Sequence, residues 1–229
     1  GGAGTSGRLA VMEAAECRPT FSSDRVVGLI AGGAAALLEA QEGAEDDRDA
    51  GARALEALGP TPSDLVLGVA ASGRTPWALG LLDAAARAGA RRGLVACAAP
   101  PPGLELDVAL VLDTGPELLS GSTRLKAATA TKCALNAITT GAMALAGKVM
   151  DDLMVDVQPT NAKLRARARR IVAALVRCDE ARAGDLLLAA AWEAKTAIAM
   201  GRLGVDAAGA RARLAAHGGH LRRALEAGA

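Results

Sequence analysis

Two short loops combine glycine with hydroxyl side chains in a way that suits phosphate binding. The tripeptide Ser6-Gly7-Arg8 recurs as Ser72-Gly73-Arg74, and the second copy lies between the apolar segment Leu65 to Ala70 and the helix-opening pair Thr75-Pro76. Small residues let backbone N–H groups converge on an anion, hydroxyls add donors, and a helix N-terminus contributes positive potential. For each loop alone, an ordinary helix N-cap is the competing explanation. At one sheet edge, the two loops together predict a site for one phosphate and its sugar.

The segment Gly2 to Gly7 also matches the dinucleotide-binding pattern G-x-G-x-x-G. That pattern normally follows a strand, and the next strand normally ends in an acidic residue that holds a ribose. Here no strand precedes Gly2, and the next candidate strand, Arg25 to Ala31, runs into Gly32-Gly33. A nicotinamide cofactor is therefore not expected, and the pattern predicts a sheet from which the first strand is missing.

A third polar cluster, Ser120 to Lys126, opens a long predicted helix that extends to Leu145. Its hydroxyls and the Lys126 ammonium would face the carboxyl-terminal edge of the sheet, where open α/β sheets bind ligands. The candidate binding residues for a phosphorylated sugar are therefore Thr5, Ser6, Ser72, Gly73, Thr75, Ser122, Thr123 and Lys126.

Two carboxylates could do acid–base chemistry. Glu16 lies where a short helix must stop before Pro19, which is an unusual place for a solvated acid. Glu45 follows Glu42-Gly43-Ala44, and pattern alone favours an acidic first helical turn that complements the helix dipole. His217 before Gly218-Gly219 likewise favours a helix C-terminus over a ligand role. The sequence leaves the roles of His217 and His220 open.

Alternating strands and helices must position these candidate binding and acid–base residues. Four short apolar runs are candidate strands, and Ala- and Leu-rich helical patterns separate them: Arg25 to Ala31, Asp64 to Ala70, Gly93 to Ala98 and Val108 to Asp113. Strands that are apolar throughout are typical of a parallel sheet covered by helices on both faces. The predicted fold class is α/β.

Beyond Asp113 the pattern is helical only, and glycines punctuate short helices after Cys178. The sequence predicts a phosphosugar-binding domain over residues 1–177 and a small helical bundle over residues 178–229.

Composition excludes several classes of function. The 229 residues carry 26 Lys and Arg against 25 Asp and Glu, so no broad field attracts nucleic acid or anionic lipid. Aromatic residues make up 1% of the chain, too few for stacking on single-stranded nucleic acid. No apolar stretch reaches the roughly 18 residues of a membrane span, and no signal peptide is recognised. The four scattered cysteines predict reduced thiols in a cytoplasm and no metal site.

Eight strings along the chain resemble the N-acetylmuramic acid 6-phosphate etherases, a family with a sugar isomerase (SIS) domain that the glucokinase regulatory proteins share. The resemblance runs in order over the whole chain. It rests on Gly2 to Leu9, Ala15-Glu16-Cys17 with Pro19-Thr20-Phe21, Gly28 to Gly33, Glu42 to Asp46, Ala71 to Pro76, Gly121 to Arg124, Leu153 to Val157 and His217-Gly218-Gly219.

The resemblance implies cleavage of the D-lactyl ether of N-acetylmuramic acid 6-phosphate, without metal or cofactor, during cell-wall sugar recycling. It also implies that Glu16 is the proton donor and Glu45 the second acid–base residue, which reverses the pattern-based interpretation of Glu45. Such a reaction needs a base for the C2 proton of the ring-opened sugar and an acid for the departing ether oxygen. Two such roles require differently poised carboxylates.

The predicted partners are a small phosphosugar and a second copy of the chain. A homodimer is expected from the long Ala-rich helix Thr123 to Leu145 and from the SIS resemblance. The alternative function is a non-catalytic phosphosugar sensor on the same fold. Because a sensor needs phosphate loops but no acid–base pair, the presence of both Glu16 and Glu45 favours the enzyme.

Overall fold

A computed structural model describes residues 1–227 of the chain. Its helices are α1 (Gly4–Phe21), α2 (Arg48–Glu56), α3 (Pro76–Arg87), α4 (Lys126–Leu145), α5 (Ala162–Val176), α6 (Glu180–Ala189), α7 (Ala194–Leu203), α8 (Ala207–Ala216) and α9 (Leu221–Glu226), with a short 3-10 helix at Gly33–Leu37. Its strands are β1 (Leu65–Val69), β2 (Arg91–Ala96), β3 (Val108–Val111), β4 (Val149–Met150) and β5 (Leu153–Met154).

The chain divides into two compact units. The first contains Gly1–Ala15 and Val26–Ala137, and the second contains Glu16–Arg25 and the described residues from Ile138 onward. Helices α1 and α4 therefore contribute residues to both units. The boundary between residues 177 and 178, which the sequence suggests, falls between α5 and α6 and stays a prediction.

The first unit is built on a parallel sheet in the order β1-β2-β3, with Val69 opposite Val95 and Val95 opposite Leu110. Helix α3 connects β1 to β2, and parallel neighbours require such a crossover. The predicted α/β class with a helix-flanked parallel sheet is confirmed. Trp77, Leu81 and Leu94 are buried in the core between α3 and the sheet.

Gly2 occupies the sheet position next to β1. Gly2 forms parallel bridges with Val69 on one side and with Ile30 on the other. The predicted strand from Arg25 to Ala31 is thus reduced to one bridge position, because its ladder hydrogen bonds are made only with Gly2: the Gly2 N–H donates to the Leu29 carbonyl at 3.2 Å, and the Ala31 N–H donates to the Gly2 carbonyl at 3.0 Å.

The second unit packs helices α5 to α9 around one apolar core that includes Val172, Leu187 and Ile198, and β4 and β5 form a short antiparallel hairpin beside it. Three of these helices begin at residues whose side chains accept backbone N–H groups of the first turn, which stabilises helix N-termini. These caps are Asn161 for α5, Asp179 for α6 and Asp206 for α8.

Across residues 1–227, no helix has the length and apolar character that crossing a membrane requires.

Two glycines allow α2 and α3 to touch backbone to backbone. A Cβ atom on Gly51 would lie 2.0 Å from the Trp77 carbonyl oxygen, and one on Gly80 would lie 1.9 Å from the Arg48 carbonyl oxygen. A bidentate ion pair also joins the two helices: Arg48 Nε lies 2.6 Å from Asp83 Oδ2, and Arg48 Nη2 lies 3.0 Å from Asp83 Oδ1. The contact holds the loop before α2 against the start of α3.

We expect Gly80→Ala to destabilise the protein by about 1–3 kcal/mol or more, because the added methyl group must push the helices apart. Gly141→Ala on α4 is the matched control: a Cβ there meets no atom within 4 Å, so the change should stabilise the helix by up to about 1 kcal/mol. Urea unfolding of both variants measures the difference. Equal stabilities for Gly80→Ala and the unaltered protein would contradict the close contact.

Candidate active site

The first turn of α1 presents unpaired backbone N–H groups at the carboxyl-terminal edge of the sheet. Within the described chain, the N–H groups of Thr5 and Ser6 donate to no other residue, as expected for the start of a helix. Gly2 and Gly7 make this position possible: a Cβ on Gly7 would lie 2.4 Å from the Gly2 carbonyl oxygen, and one on Gly2 would lie 2.4 Å from the Val69 carbonyl oxygen. The helix start is therefore seated directly on the sheet.

The loop after β1 forms a tight turn beside it. Gly73 has a φ of +69° and donates its N–H to the Ala70 carbonyl at 2.8 Å, while Arg74 donates its N–H to Ser72 Oγ at 3.2 Å. Thr75 is the N-cap of α3, but its hydroxyl makes no capping hydrogen bond. The Thr75 hydroxyl is consequently available to a ligand.

Glu45 is tied to this loop through its backbone. Its carbonyl oxygen accepts the Trp77 N–H at 3.0 Å, which places Glu45 at the N-terminus of α3. The interpretation of Glu45 as part of an acidic first helical turn is wrong: Asp47 is the N-cap of α2, accepting the Ala50 N–H at 2.7 Å, and the acid in the first turn is Asp49. Glu45 precedes the helix, and its carboxylate is exposed.

The third polar cluster is organised by a residue that the sequence did not single out. Glu117 accepts the backbone N–H groups of Lys126 at 3.0 Å and Ala127 at 2.9 Å, at the start of α4. The Ala127 hydrogen bond is the main reason that the pKa of Glu117 lies below its ordinary value of 4.5. Because Glu117 accepts these two N–H groups, they are not free to donate to a ligand. Thr123 joins the cavity wall from the loop before α4.

These loops enclose one cavity of about 470 Å³ in the first unit. Thr5 and Ser6 contribute from α1, and Ser72 and Thr75 from the loop after β1; the remaining predicted residues in the wall are Glu45 and Thr123. Gly73, Ser122 and Lys126 are not among the wall residues. Gly73 and Ser122 each neighbour a wall residue in the chain, whereas Lys126 does not. Glu16 is an exposed residue of α1 and belongs to the second unit. The expectation that its helix stops before Pro19 is wrong, because α1 continues through Pro19 to Phe21.

The cavity lies where the order of the sheet reverses. From Gly2 the chain passes through α1 to Ile30 on one side, and it later returns through α2 to β1 on the other side. Open α/β sheets bind their ligands at such switch points, because the loops after neighbouring strands diverge there.

Comparisons with known proteins point to one family. Residues 1–86 match the model of the glucokinase regulatory protein N-terminal SIS domain. An N-acetylmuramic acid 6-phosphate etherase of Cutibacterium acnes is 53% identical over 98% of this chain and 75% of its own length. Proteins of the same name from Aliivibrio fischeri (strain MJ11) and Salmonella enteritidis PT4 are 48% and 51% identical, again over 98% of this chain and over 76% and 77% of theirs. The chain belongs to the N-acetylmuramic acid 6-phosphate etherase family.

In this member of the etherase family, a smaller cavity of about 190 Å³ adjoins the cavity of about 470 Å³. The two cavities share Ala3, Gly4 and Glu45. Arg8 is in its wall and donates its Nε to the Leu37 carbonyl at 3.1 Å. Arg74 is in the wall of the larger cavity. Both arginines end the repeated Ser-Gly-Arg string, so the repeat in the sequence already indicates them as residues near the site.

The two histidines lie in the second unit, at helix ends. His217 is the C-cap of α8 and is followed by Gly218 and Gly219, both at positive φ, so the helix C-terminus expected there is confirmed. His220 is the N-cap of α9. Across residues 1–227, no group of three or more His, Cys, Asp and Glu side chains could hold a metal ion.

We expect Ser72→Ala to weaken binding of a sugar 6-phosphate by about 1–3 kcal/mol, because a hydrogen bond to a charged group is lost. Ser63→Ala, at an exposed position outside the cavity wall, should leave binding unchanged. Isothermal titration of both variants gives the comparison. An unaltered Kd for Ser72→Ala would remove this serine from the phosphate site.

The capping role of Glu117 predicts a pH dependence of stability. Because the pKa of Glu117 is depressed in the folded protein, its contribution is fully present above pH 4.5 and is lost as the pH falls through the folded value. Glu117→Gln should therefore lower the Tm at pH 7, and the difference should shrink at about pH 3. Thermal unfolding at both pH values measures it, with exposed Glu39→Gln as the control. A Tm difference that does not change with pH would contradict a charge-based cap.

Proposed function

We propose that this chain cleaves the D-lactyl ether of N-acetylmuramic acid 6-phosphate, giving N-acetylglucosamine 6-phosphate and D-lactate. The observation that carries the proposal is the placement of Glu45 in one cavity wall with the hydroxyls of Thr5, Ser6, Ser72 and Thr75. Membership of the etherase family supports the same reaction.

The phosphate is held by dipoles and hydroxyls, with little contribution from cationic side chains. The unpaired N–H groups of Thr5 and Ser6 lie at the positive end of α1, and the hydroxyls of Ser72 and Thr75 face the same cavity. Helix N-termini bind phosphate in this way because their first N–H groups have no partner within the helix. Arg74 adds one positive charge to the wall.

In the reaction that we propose, Glu45 acts as the base. Once the sugar ring opens, the C1 carbonyl acidifies the C2 proton, and the Glu45 carboxylate takes this proton as the C3–oxygen bond breaks. The electron pair of the C2–H bond becomes the C2–C3 double bond. Water then adds to C3 while a proton returns to C2, which yields N-acetylglucosamine 6-phosphate. None of these steps requires a metal or a cofactor.

Glu16 is the acid in this scheme. It protonates the ether oxygen as lactate leaves C3, because an alkoxide is too basic to depart unprotonated. Its exposure on α1 is compatible with proton exchange with solvent. The assignment of the two roles comes from the family motifs Ala15-Glu16-Cys17 and Glu42 to Asp46.

Incubation of the protein with N-acetylmuramic acid 6-phosphate, followed by an assay for D-lactate, tests the proposed function. Lactate release in equal amount with N-acetylglucosamine 6-phosphate is the expected result. Binding of the phosphosugar without lactate release would favour the sensor instead, and no binding would exclude both.

The two carboxylates should separate by role. Glu16→Gln should block ether cleavage but leave exchange of the C2 proton of N-acetylglucosamine 6-phosphate, since exchange needs only the carbonyl and a base. Glu45→Gln should suppress both reactions, and each loss should be about 10²–10⁴-fold in rate. Deuterium incorporation and lactate release measure the two activities, with Glu39→Gln as the control. Exchange lost only in Glu16→Gln would swap the roles, and full cleavage in both variants would refute them.

We also propose that the protein is a cytoplasmic enzyme of peptidoglycan recycling and that it acts as a homodimer. The edge strand β3 supports the dimer, since Val108 and Val111 are half exposed, as is Leu119 beyond it, and Leu118 is 96% exposed. Unpaired edges and apolar patches of this kind are usually covered in the working protein.

Light scattering should therefore give a mass near twice the 22.9 kDa of the chain. Leu118→Glu should shift it toward the monomer, because the charge would be buried at the interface, whereas Leu188→Glu, at an exposed position on α6, is the control. A monomer at assay concentration with full activity would exclude the dimer.

A further inference from the structure

The second unit contains a cavity of about 410 Å³ that the proposed reaction does not use. The loop after α1, the segment after α4, the start of α7 and the turn between α8 and α9 all contribute to its wall. The polar wall residues that matter here are Ser22, Ser23, Arg25, Lys148, Lys195 and His220. None of them is among the residues that line the phosphosugar cavity.

Lys195 is a buried cation, and one N–H donor of its ammonium group has no partner among the described residues. The residue is 9% exposed, and its Nζ donates to Asp156 Oδ2 at 2.7 Å and to the Gly219 carbonyl at 2.8 Å. An ammonium group has three N–H donors, so one is left for a ligand. Burial lowers the pKa of Lys195, and the nearby charge of Lys148 adds to this effect while Asp156 opposes it. The ammonium therefore lacks full electrostatic compensation.

A second lysine depends on the same carboxylate oxygen. Lys148 Nζ lies 2.9 Å from Asp156 Oδ2, the oxygen that Lys195 also contacts. One negative charge thus serves two ammonium groups that are both mostly shielded from water, with 26% and 11% of their side chains exposed. An ion pair that served only to hold the fold would be neutral, because unbalanced buried charge is costly.

The remaining charges at the cavity do not restore the balance. Asp24 is also in the wall, but it pairs with Arg18, 3.4 Å away, which is not. Arg25 has no carboxylate within 4.0 Å among the described residues. The wall therefore carries an excess of positive charge at Lys148, Lys195 and Arg25.

Close packing at Gly147 supports one part of the cavity wall. This residue has a φ of +73°, and a Cβ on it would lie 2.6 Å from His220 Nδ1 and 2.9 Å from His220 Cα. His220 is therefore packed directly on the Gly147 backbone, next to Lys148. A larger residue at position 147 could not keep this part of the wall.

An adjoining cavity of about 400 Å³ shares Ser22, Lys148 and Lys195 with the first. Its wall continues with Gln158, Trp192 and Thr196, which offer an amide, an aromatic ring and a hydroxyl. The two lysines thus stand between two cavities, and an organic group attached to an anion has room on either side of them.

We propose that this cavity binds the oxyanion of a small metabolite, a phosphate monoester or a carboxylate, with Lys195 and Lys148 as its main donors and Arg25 at its mouth. The anion supplies the negative charge that Asp156 alone does not. Charge-assisted hydrogen bonds from lysine to phosphate or carboxylate are the strong kind. This site is independent of the proposed reaction, since it requires neither Glu16 nor Glu45.

The lysine side chains themselves provide a site-resolved test. The chain has five lysines, and none lines the phosphosugar cavity. Titration of the full chain with inorganic phosphate, D-lactate and N-acetylglucosamine 6-phosphate is followed through the Cε resonances of isotope-labelled lysine. We expect saturable shifts at Lys148 and Lys195 with at least one probe, and the probe with the lowest Kd distinguishes phosphate from carboxylate. No saturable shift with any probe would overturn the site.

Lys148→Met is the informative variant, because it leaves Lys195 and Asp156 as a balanced pair and so preserves the fold. It should raise the Kd reported by the Lys195 resonance about tenfold or more, since one charged donor is lost. Lys163→Met, at an exposed position on α5, is the control and should leave that Kd unchanged. Arg25→Gln should raise the Kd by a smaller factor because Arg25 is exposed. A Kd that is equal in the unaltered protein and in Lys148→Met would refute the proposal.

Discussion

The seating of Gly2 between Val69 and Ile30 is the constraint on which the first unit depends. Because Gly2 and Gly7 lack side chains, the start of α1 approaches the sheet closely enough for its unpaired N–H groups to reach the carboxyl-terminal edge. Any side chain at either position would collide with a backbone oxygen at 2.4 Å. The N–H groups that the proposed site offers to a phosphate are thus exposed by backbone packing, and the hydroxyls add further donors.

A second backbone contact positions Glu45 at the same edge of the sheet. Its carbonyl oxygen accepts the Trp77 N–H at the start of α3, and the loop that bears it is held by the glycine contact between α2 and α3. Trp77 is also a core residue, so the hydrophobic core and the position of the carboxylate are linked through one residue. A packing defect far from the ligand would therefore move the proposed base.

The two proposed anion sites differ in the groups that they offer to a ligand. In the first unit the cavity presents helix dipoles, backbone N–H groups and hydroxyls, which suits a site that must also hold a carboxylate base without neutralising it. In the second unit, Lys148 and Lys195 converge on a single oxygen of Asp156. Among the described residues, Glu45 has no lysine or arginine partner within 4.0 Å. In the second unit, the two lysines share one carboxylate, and the proposed anion would supply the missing negative charge.

The sequence by itself determined the α/β class, the family and the loops at Ser6 and Ser72, because apolar periodicity and short glycine-hydroxyl motifs are local properties. It also determined the helix end at His217, which cation and glycine preferences predict. Only the tertiary structure decided that the segment before Ile30 pairs with Gly2 alone, that Asp47 rather than Glu45 belongs to the start of α2, and that Glu117 caps α4. These outcomes depend on which backbone groups meet across the fold, and a pattern read along the chain holds no information about partners that are distant in sequence.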